Sequence, residues 1–390
     1  MTTLSTFVTS LDEAKRAVDS GATALILDHP CLSLRHTAND DLTLETFINN
    51  ICPAIQSQYP TIPLSWNADI LFHDADLEIL KTVLTHINTL KIPSIRIQDA
   101  GVIPLIQTIS PDLSIHFASE MGNNNWVSIQ AFEALGVRQQ TLTNEVPISD
   151  IKVMQTKTNA ALEIQVQGPI LIQYSRRHLL KGAFPKLKTT PTRVESEDTD
   201  LPNRRFMFQE TAHGHLMYGH FHRCLIPAIA QLKDLNLASW LVDCRGESDT
   251  YTRTALQTYS DALLDKPAPS DPPIDILKKE SRRSQKLGFF LANMTDKDWR
   301  DQSPVRNIDA PVLAMIIDTI KGKCIIGECM EPIDQNTKAT LTTPENKVHH
   351  LELDDIRDLN NQAITRAEIG DLIRLPWQKG CTPKSILTKT

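Results

Sequence analysis

The first 265 residues alternate short β-like runs with amphipathic helical stretches, and this alternation leaves the chain few architectures. Strand candidates are STFV (5–8), TALILD (23–28), PLSWNAD (63–69), SIRIQD (94–99), SIHFAS (114–119), QQTLTNEV (139–146), ALEIQVQ (161–167) and ASWLVDCRG (238–246). Between them lie helical patterns. In SLDEAKRAVDSG (10–21), Ser10 is placed to cap the helix, acidic residues fill the first turn and Gly21 closes the end. HDADLEILKTVLTHINTL (73–90) and IPAIAQLKDLN (226–236) read the same way. Strands alternating with helices form parallel βαβ units, and eight of them predict an α/β fold, a closed (β/α)8 TIM-like barrel over residues 1–265. A doubly wound open sheet is the alternative.

The seventh unit departs from this rhythm. About 50 residues separate ALEIQVQ from the next clear helix, an insertion at 169–222 too long for an ordinary connection. It contains the polar stretch KLKTTPTRVESEDTDLP (186–202), expected to be exposed. After residue 265, KPAPSDPPID reads as the start of a Pro-rich linker over 266–299. PVLAMIIDTI, GKCIIGECM, NTKATLTT, KVHHLELDD and EIGDLIRL then predict a small β-rich C-terminal domain over 300–390.

Hydrophobic content of 41% and charged content of 22% are those of a soluble globular chain. No apolar run reaches membrane-spanning length, and the first residues lack the pattern of a signal peptide. The cysteines at 31, 52, 224, 244, 324, 329 and 381 are scattered and odd in number, which points to reduced thiols and a cytoplasmic setting. A net charge of −7 gives no overall basic footprint for nucleic acid, although a local patch is compatible with it.

Several segments together carry a family resemblance. LDEAKRAVDSGATALIL followed by CLSLR (31–35) resembles the opening helix, strand and Leu-Arg motif of the U-thirty-two peptidase family, also called collagenase-like. IQDAGVIPLIQTISPDLSIHFASEMGNNNWVSIQAFEALGV (97–137) resembles its Gln-Asp-x-Gly stretch and the strand that follows. CLIPAIAQLKDLNLASWLVDCRGESDTY (224–251) resembles its Cys-Leu-Ile helix and the strand ending Ile-Glu-Gly-Arg, with the same spacing from Cys224 to Arg245. Members of the family include oxygen-independent hydroxylation proteins that act on RNA bases or on the ubiquinone ring. The resemblance implies that chemistry, and four cysteines holding a four-iron–four-sulfur cluster.

Here the pattern fails. His-Gly-x-x-Cys and Tyr-Ser-Gly-Arg-Cys of the family become Gln167-Gly168-Pro169-Ile170-Leu171 and Tyr174-Ser175-Arg176-Arg177-His178. The third position matches Arg204 and the fourth matches Cys224, so one cysteine of four remains. Iron–sulfur clusters need thiolate donors, and the family-type cluster is expected to be absent. The chain is then expected to serve as a partner or ligand-binding subunit, in a homodimer or in a heterodimer with a related family member.

Other readings compete. HGHLMYGHFHRC (213–224) places His220 and His222 four and two residues before Cys224, donors that suit a single zinc or iron ion if they converge. Barrel chemistry sits at the C-terminal strand ends, which hold Asp28, Asn67, Asp69, Gln98, Asp99, Ser119, Glu120, Asn144, Glu145, Asp243 and Arg245. The ligand site is expected to comprise Arg35, Gln98, Asp99, Ser119, Glu120, Tyr174, Arg177, Asp243 and Arg245. A small anionic or aromatic molecule would lie between Arg35, Arg177 and Arg245. Peptide hydrolysis would need Ser119, Ser175 or Cys224 beside a base, and no local signature surrounds any of them. Arg176, Arg177, Lys181, Lys186, Lys188, Arg193, Arg204 and Arg205 are a basic group suited to RNA phosphates, partly cancelled by Glu195, Glu197, Asp198 and Asp200. Cys324 and Cys329 lie in an apolar run and read as buried structural thiols.

Overall fold

The computed structural model describes residues 2–35, 42–184, 192–197, 205–267, 272–291, 311–343 and 347–390. The chain forms two units, Met1–Ala292 and Asn293–Thr390. The strands of the first unit are, in chain order, β1 (Thr3–Val8), β2 (Ala24–Leu27), β3 (Leu64–Ala68), β4 (Ser94–Ile97), β5 (Ser114–Phe117), β6 (Val137–Leu142), β7 (Ala161–Ser175), β8 (Arg193–Glu197), β9 (Arg205–Thr211), β10 (Gly214–Cys224), β11 (Ser239–Val242) and β12 (Ser284–Lys286).

Strands β1 to β7 pair in sequence order, and β11 pairs in parallel with both β7 and β1. That double pairing closes an eight-stranded parallel barrel and rules out the open sheet. All eight expected strands form its staves. The helices between them form for the reasons their sequences suggest. The side chain of Ser10 accepts from the Glu13 amide and the carboxylate of Glu13 accepts from the Thr9 amide at 2.7 Å, a reciprocal cap on helix Leu11–Asp19. In helix Leu77–Leu90, Leu80, Val83, Leu84 and Ile87 share one stripe and are wholly buried against the barrel.

The interior of the barrel is polar at its middle. Glu163 on β7 accepts from Arg96 at 2.6 Å, from Thr141 at 2.8 Å and from Ser5 at 3.0 Å, and all four side chains are buried. His116 lies 2.8 Å from the Thr141 hydroxyl. Burial pushes His116 down to about 3, so it is neutral at ordinary pH. Burial alone would raise Glu163, but Arg96 and His116 bring it to about 2.

The insertion is a β arm. β7 outlasts its neighbours, and its second half pairs antiparallel with β10, which pairs with β9, which pairs with β8. Gly168 marks the change from stave to arm. Its φ is +121°, and a Cβ there would stand 1.8 Å from the Asp243 carbonyl oxygen, so only glycine lets β7 and β11 approach this closely.

Within the span 266–299, expected from its prolines to be a plain linker, residues 272–291 form part of the barrel unit. Helix Pro273–Ser281 packs on helix Asp249–Leu263 through Leu277, which is wholly buried, and β12 joins β10 in parallel. The barrel unit therefore runs on to Ala292. Ile274 and Leu277, three residues apart on one helical face, are the apolar signal that the prolines obscured.

In the second unit β13 (Val312–Ile320), β14 (Cys324–Cys329), β15 (Ile333–Asp334), β16 (Thr337–Thr342), β17 (Val348–Leu353), β18 (Arg366–Ala367), β19 (Leu372–Pro376) and β20 (Ile386–Lys389) are all β structure, as expected. Six of them form one antiparallel sheet in the order β17-β16-β20-β13-β14-β19, and β15 pairs with β18. Cys324 and Cys329 are buried and free of disulfides.

Candidate functional site at the barrel mouth

Five of the nine expected ligand residues meet at the C-terminal mouth. Arg35, Ser119, Glu120, Asp243 and Arg245 line one central cavity, together with Asp69, Asn144 and Gln165. Its open volume is about 20 Å³, room for a single water. The side chains fill it with an ion network. Asp243 accepts from Arg35 at 2.9 Å and from two nitrogens of Arg245 at 2.9 and 3.0 Å. Arg35 also bonds Glu120, and Arg245 stands 3.4 Å from Asp69 and 3.6 Å from Asp28. The Arg245 guanidinium lies 3.6 Å from the centre of the Phe7 ring. Burial opposes ionisation of Asp243, yet Arg245 and Arg35 hold its carboxyl well below the usual range.

Backbone geometry fixes this network. Asp243 follows the last residue of β11, and its amide donates to the Gln167 carbonyl at 3.1 Å. Arg35 lies in the segment after β2, and this part of it hangs from the arm. Gln209 donates to the Arg35 carbonyl at 3.0 Å and Thr211 to the Leu34 carbonyl at 3.1 Å. Asp69 accepts from the Leu34 amide at 2.7 Å and so steadies the same loop.

The other four expected residues serve elsewhere. Gln98 donates to the Asp69 carbonyl, and Asp99 caps a turn by accepting from Gly101 and Phe72. Tyr174 donates to the His213 carbonyl at 2.7 Å within the arm. Arg177 is exposed beyond the end of β7 and takes no part in the cavity wall, so the expected frame of Arg35, Arg177 and Arg245 is not assembled. Arg35 and Arg245 are matched by four carboxylates, Asp28, Asp69, Glu120 and Asp243. An anion at this centre would face a surplus of negative charge.

The three expected donors of the histidine-rich strand each have other neighbours. His220 packs against the rings of Phe206 and Phe221, His222 meets the Tyr251 hydroxyl at 3.0 Å, and Cys224 shares a hydrogen bond with Tyr259. Among the described residues no three His, Cys, Asp or Glu side chains converge as metal ligands. Nor is there support for a nucleophile. Ser119 and Ser175 hydrogen-bond backbone groups, and burial pushes the Cys224 thiol up to about 11.

The four family cysteine positions can now be placed. Cys224 is buried and pairs across the sheet with Gln167, whereas Leu171 pairs with Tyr218. Four residues of β7 separate the two rungs, roughly 13 Å of strand. His178 is exposed past the arm, and Arg204 lies outside the described residues. One thiol, held apart from an aliphatic side chain and an exposed imidazole, does not fit a four-iron cluster, which needs convergent thiolates.

Three residues beside the mouth escaped the sequence reading. Arg223, next to Cys224, is wholly buried with Asn144 as its hydrogen-bond partner at 2.5 Å, while its Nε and one Nη have none. Burial lowers it to about 10. Glu247 is pushed up to about 7 by burial and stands 3.8 Å from the Nε2 of His222. Arg253, on a helix face, had no sequence signal beyond its charge.

A polar strand-end network inside a closed (β/α)8 barrel, overhung by a β arm from the seventh unit, defines an α/β barrel protein with its site at the mouth. The chain belongs to peptidase family U32, whose model matches residues 9–300. It is similar to tRNA hydroxylation protein P1 of Bacillus subtilis (strain 168), 23% identical over 44% of this chain and 40% of that one. It is also similar to tRNA hydroxylation protein P of Helicobacter pylori (strain ATCC 700392 / 26695), 28% identical over 45% of this chain and 42% of the relative. With tRNA hydroxylation protein P2 of Bacillus subtilis (strain 168) it is 20% identical over 65% of this chain and 83% of that one. The match thus spans about two fifths of the first two relatives. No described helix is long and apolar enough to cross a membrane.

Proposed function

We propose that this chain is an RNA-binding member of the hydroxylation branch of its family that works without the iron–sulfur cluster, as a partner to a relative that carries one. The observation behind this reading is the donor set. Leu171 and His178 stand at two of the cluster positions, and Cys224 is buried a strand-length away from Leu171 with its thiol raised to about 11. These groups do not match the thiolate donors such a cluster takes, and this supports the reading, while the barrel, the arm and the mouth network are formed. RNA is favoured over ubiquinone as the ligand because the relatives are named for tRNA hydroxylation. Peptide hydrolysis has no paired nucleophile and base among Ser119, Ser175, Cys224 and the arm histidines to support it.

The test is iron and acid-labile sulfide analysis, with an absorption spectrum, on protein purified without oxygen. The reading expects neither iron nor sulfide in stoichiometric amount, together with binding of a short single-stranded RNA. Iron and sulfide at four per chain would end it.

A further inference from the structure

The central cavity is nearly full and acidic, but a second space opens beside it. A cleft of about 570 Å³ runs from Arg35 and Arg245 outward between helices Leu11–Asp19 and Asp249–Leu263, with Thr192 and Arg193 of the arm on its rim. That volume is typical of small-molecule sites. Five arginines and three carboxylates line it. Arg35 and Arg245 belong to the mouth network, which leaves Arg16, Arg193 and Arg253 to face the cleft.

We propose that this cleft binds the phosphate of a nucleotide, with Arg16, Arg193 and Arg253 as its cationic wall. Two of the three carboxylates in the cleft pair with that wall, at 3.4 and 3.9 Å, and leave Arg253 without an ion pair among the described residues. Glu13 is turned to its own helix end, where it accepts from both the amide and the hydroxyl of Thr9. Asp249 meets Arg16 at 3.4 Å in an exposed pair that a phosphate can replace at little cost. Glu247 is 3.9 Å from Arg193, and burial holds part of its population protonated near neutral pH.

One buried donor in the cleft wall adds an independent observation. The Nε of Arg35, a cleft residue that is 5% exposed, has no hydrogen-bond partner among the described residues. Gly246 has φ +81°, and its carbonyl accepts from Arg193 at 3.3 Å, which holds that guanidinium over the cleft. Guanidinium groups match phosphate oxygens by paired N–H donors.

The inference rests on the proposed RNA ligand only for the source of the phosphate, which is either a free nucleotide or a backbone phosphate. Calorimetric titration with uridine 5′-monophosphate, uridine and a tetrauridylate with 5′-hydroxyl ends tests it. The monophosphate is expected to bind and uridine is not. Arg253→Ala and Arg16→Ala, both on exposed helix faces, are each expected to weaken binding on the order of tenfold without changing the melting temperature. Binding of the tetrauridylate assigns a backbone phosphate, and its failure beside a binding monophosphate assigns a terminal one. Equal binding of uridine and its monophosphate, equal competition by succinate, or unchanged affinity in both variants overturns the proposal. Iron and sulfide are measured on the same preparation. A cluster with arginine-dependent phosphate binding ends the cluster-free reading alone, and no cluster with no phosphate binding ends this one alone.

Discussion

Replacing Asp243 with Asn tests whether the mouth network is held by one charge. The Asp243 side chain is 3% exposed and accepts three bonds from two guanidiniums. Asparagine keeps the shape but has one acceptor oxygen in place of two, and its amide nitrogen points a donor at a donor. About two charged hydrogen bonds are lost, at roughly 1.5–3 kcal/mol each. The range agrees with the roughly 3–5 kcal/mol expected when one partner of a buried ion pair is removed. At about 2–4 °C per kcal/mol, the melting temperature should fall by roughly 6–20 °C. Tryptophan fluorescence reads this directly, since Trp66 and Trp240 are buried in the barrel unit. The pH dependence has a definite sign. The folded carboxyl is depressed, so its contribution is complete above the unfolded value of about 4 and is lost as pH falls below it. The Asn variant should therefore lose less stability than wild type on acidification. A single variant within about 1 kcal/mol of wild type refutes the reasoning.

Gly168→Ala places a methyl against the Asp243 carbonyl oxygen in a left-handed conformation, and denaturant unfolding should show a loss of about 3 kcal/mol or more. Arg223→Met replaces a buried cation that has no carboxylate partner, so thermal melting should show equal or higher stability, up to about 2 kcal/mol. His116 is neutral when folded, with a value near 3 against an ordinary 6.5. Stability should therefore fall as pH drops from 6.5 towards 3, by up to about 1.4 kcal/mol per pH unit from this residue, and His116→Gln should flatten that slope. Leu171→Cys with His178→Cys should not yield stoichiometric iron and sulfide on reconstitution, because Cys224 stays on a different rung of the sheet.

The barrel was legible because each stave is a short β-branched or apolar run ending in a polar residue, and helices such as Leu11–Asp19 and Leu77–Leu90 carry a cap or an apolar stripe. The same reading found Arg35, Glu120, Asp243 and Arg245, since strand ends and motif positions coincide there. What sequence could not show was pairing. Arg35 and Arg245 look like free anion receptors until Asp243, Glu120 and Asp69 are seen around them. Arg177 looked equivalent until β7 proved long enough to carry it past the mouth. Arg16 and Arg253 sit on helix faces where charge is ordinarily just solvated, and only the cleft between the two helices distinguishes them. The helix at Pro273–Ser281 was hidden by prolines that begin a helix as readily as they end one.

The arm and the mouth are tied more closely than their separation along the chain suggests. His213 lies 2.8 Å from the Pro30 carbonyl, and Gln209 and Thr211 hold the carbonyls of Arg35 and Leu34. The arm cannot swing outward with these bonds intact unless it carries residues 30–35 along. Arg35 would then leave Asp243 and Glu120, uncovering negative charge in the middle of the barrel. The arm is in this sense a tiller, with β7 as its shaft and Gly168 as its pivot. The hydrogen bonds of Gln209, Thr211 and His213 thus bear on the charge balance of the mouth as much as its own carboxylates do.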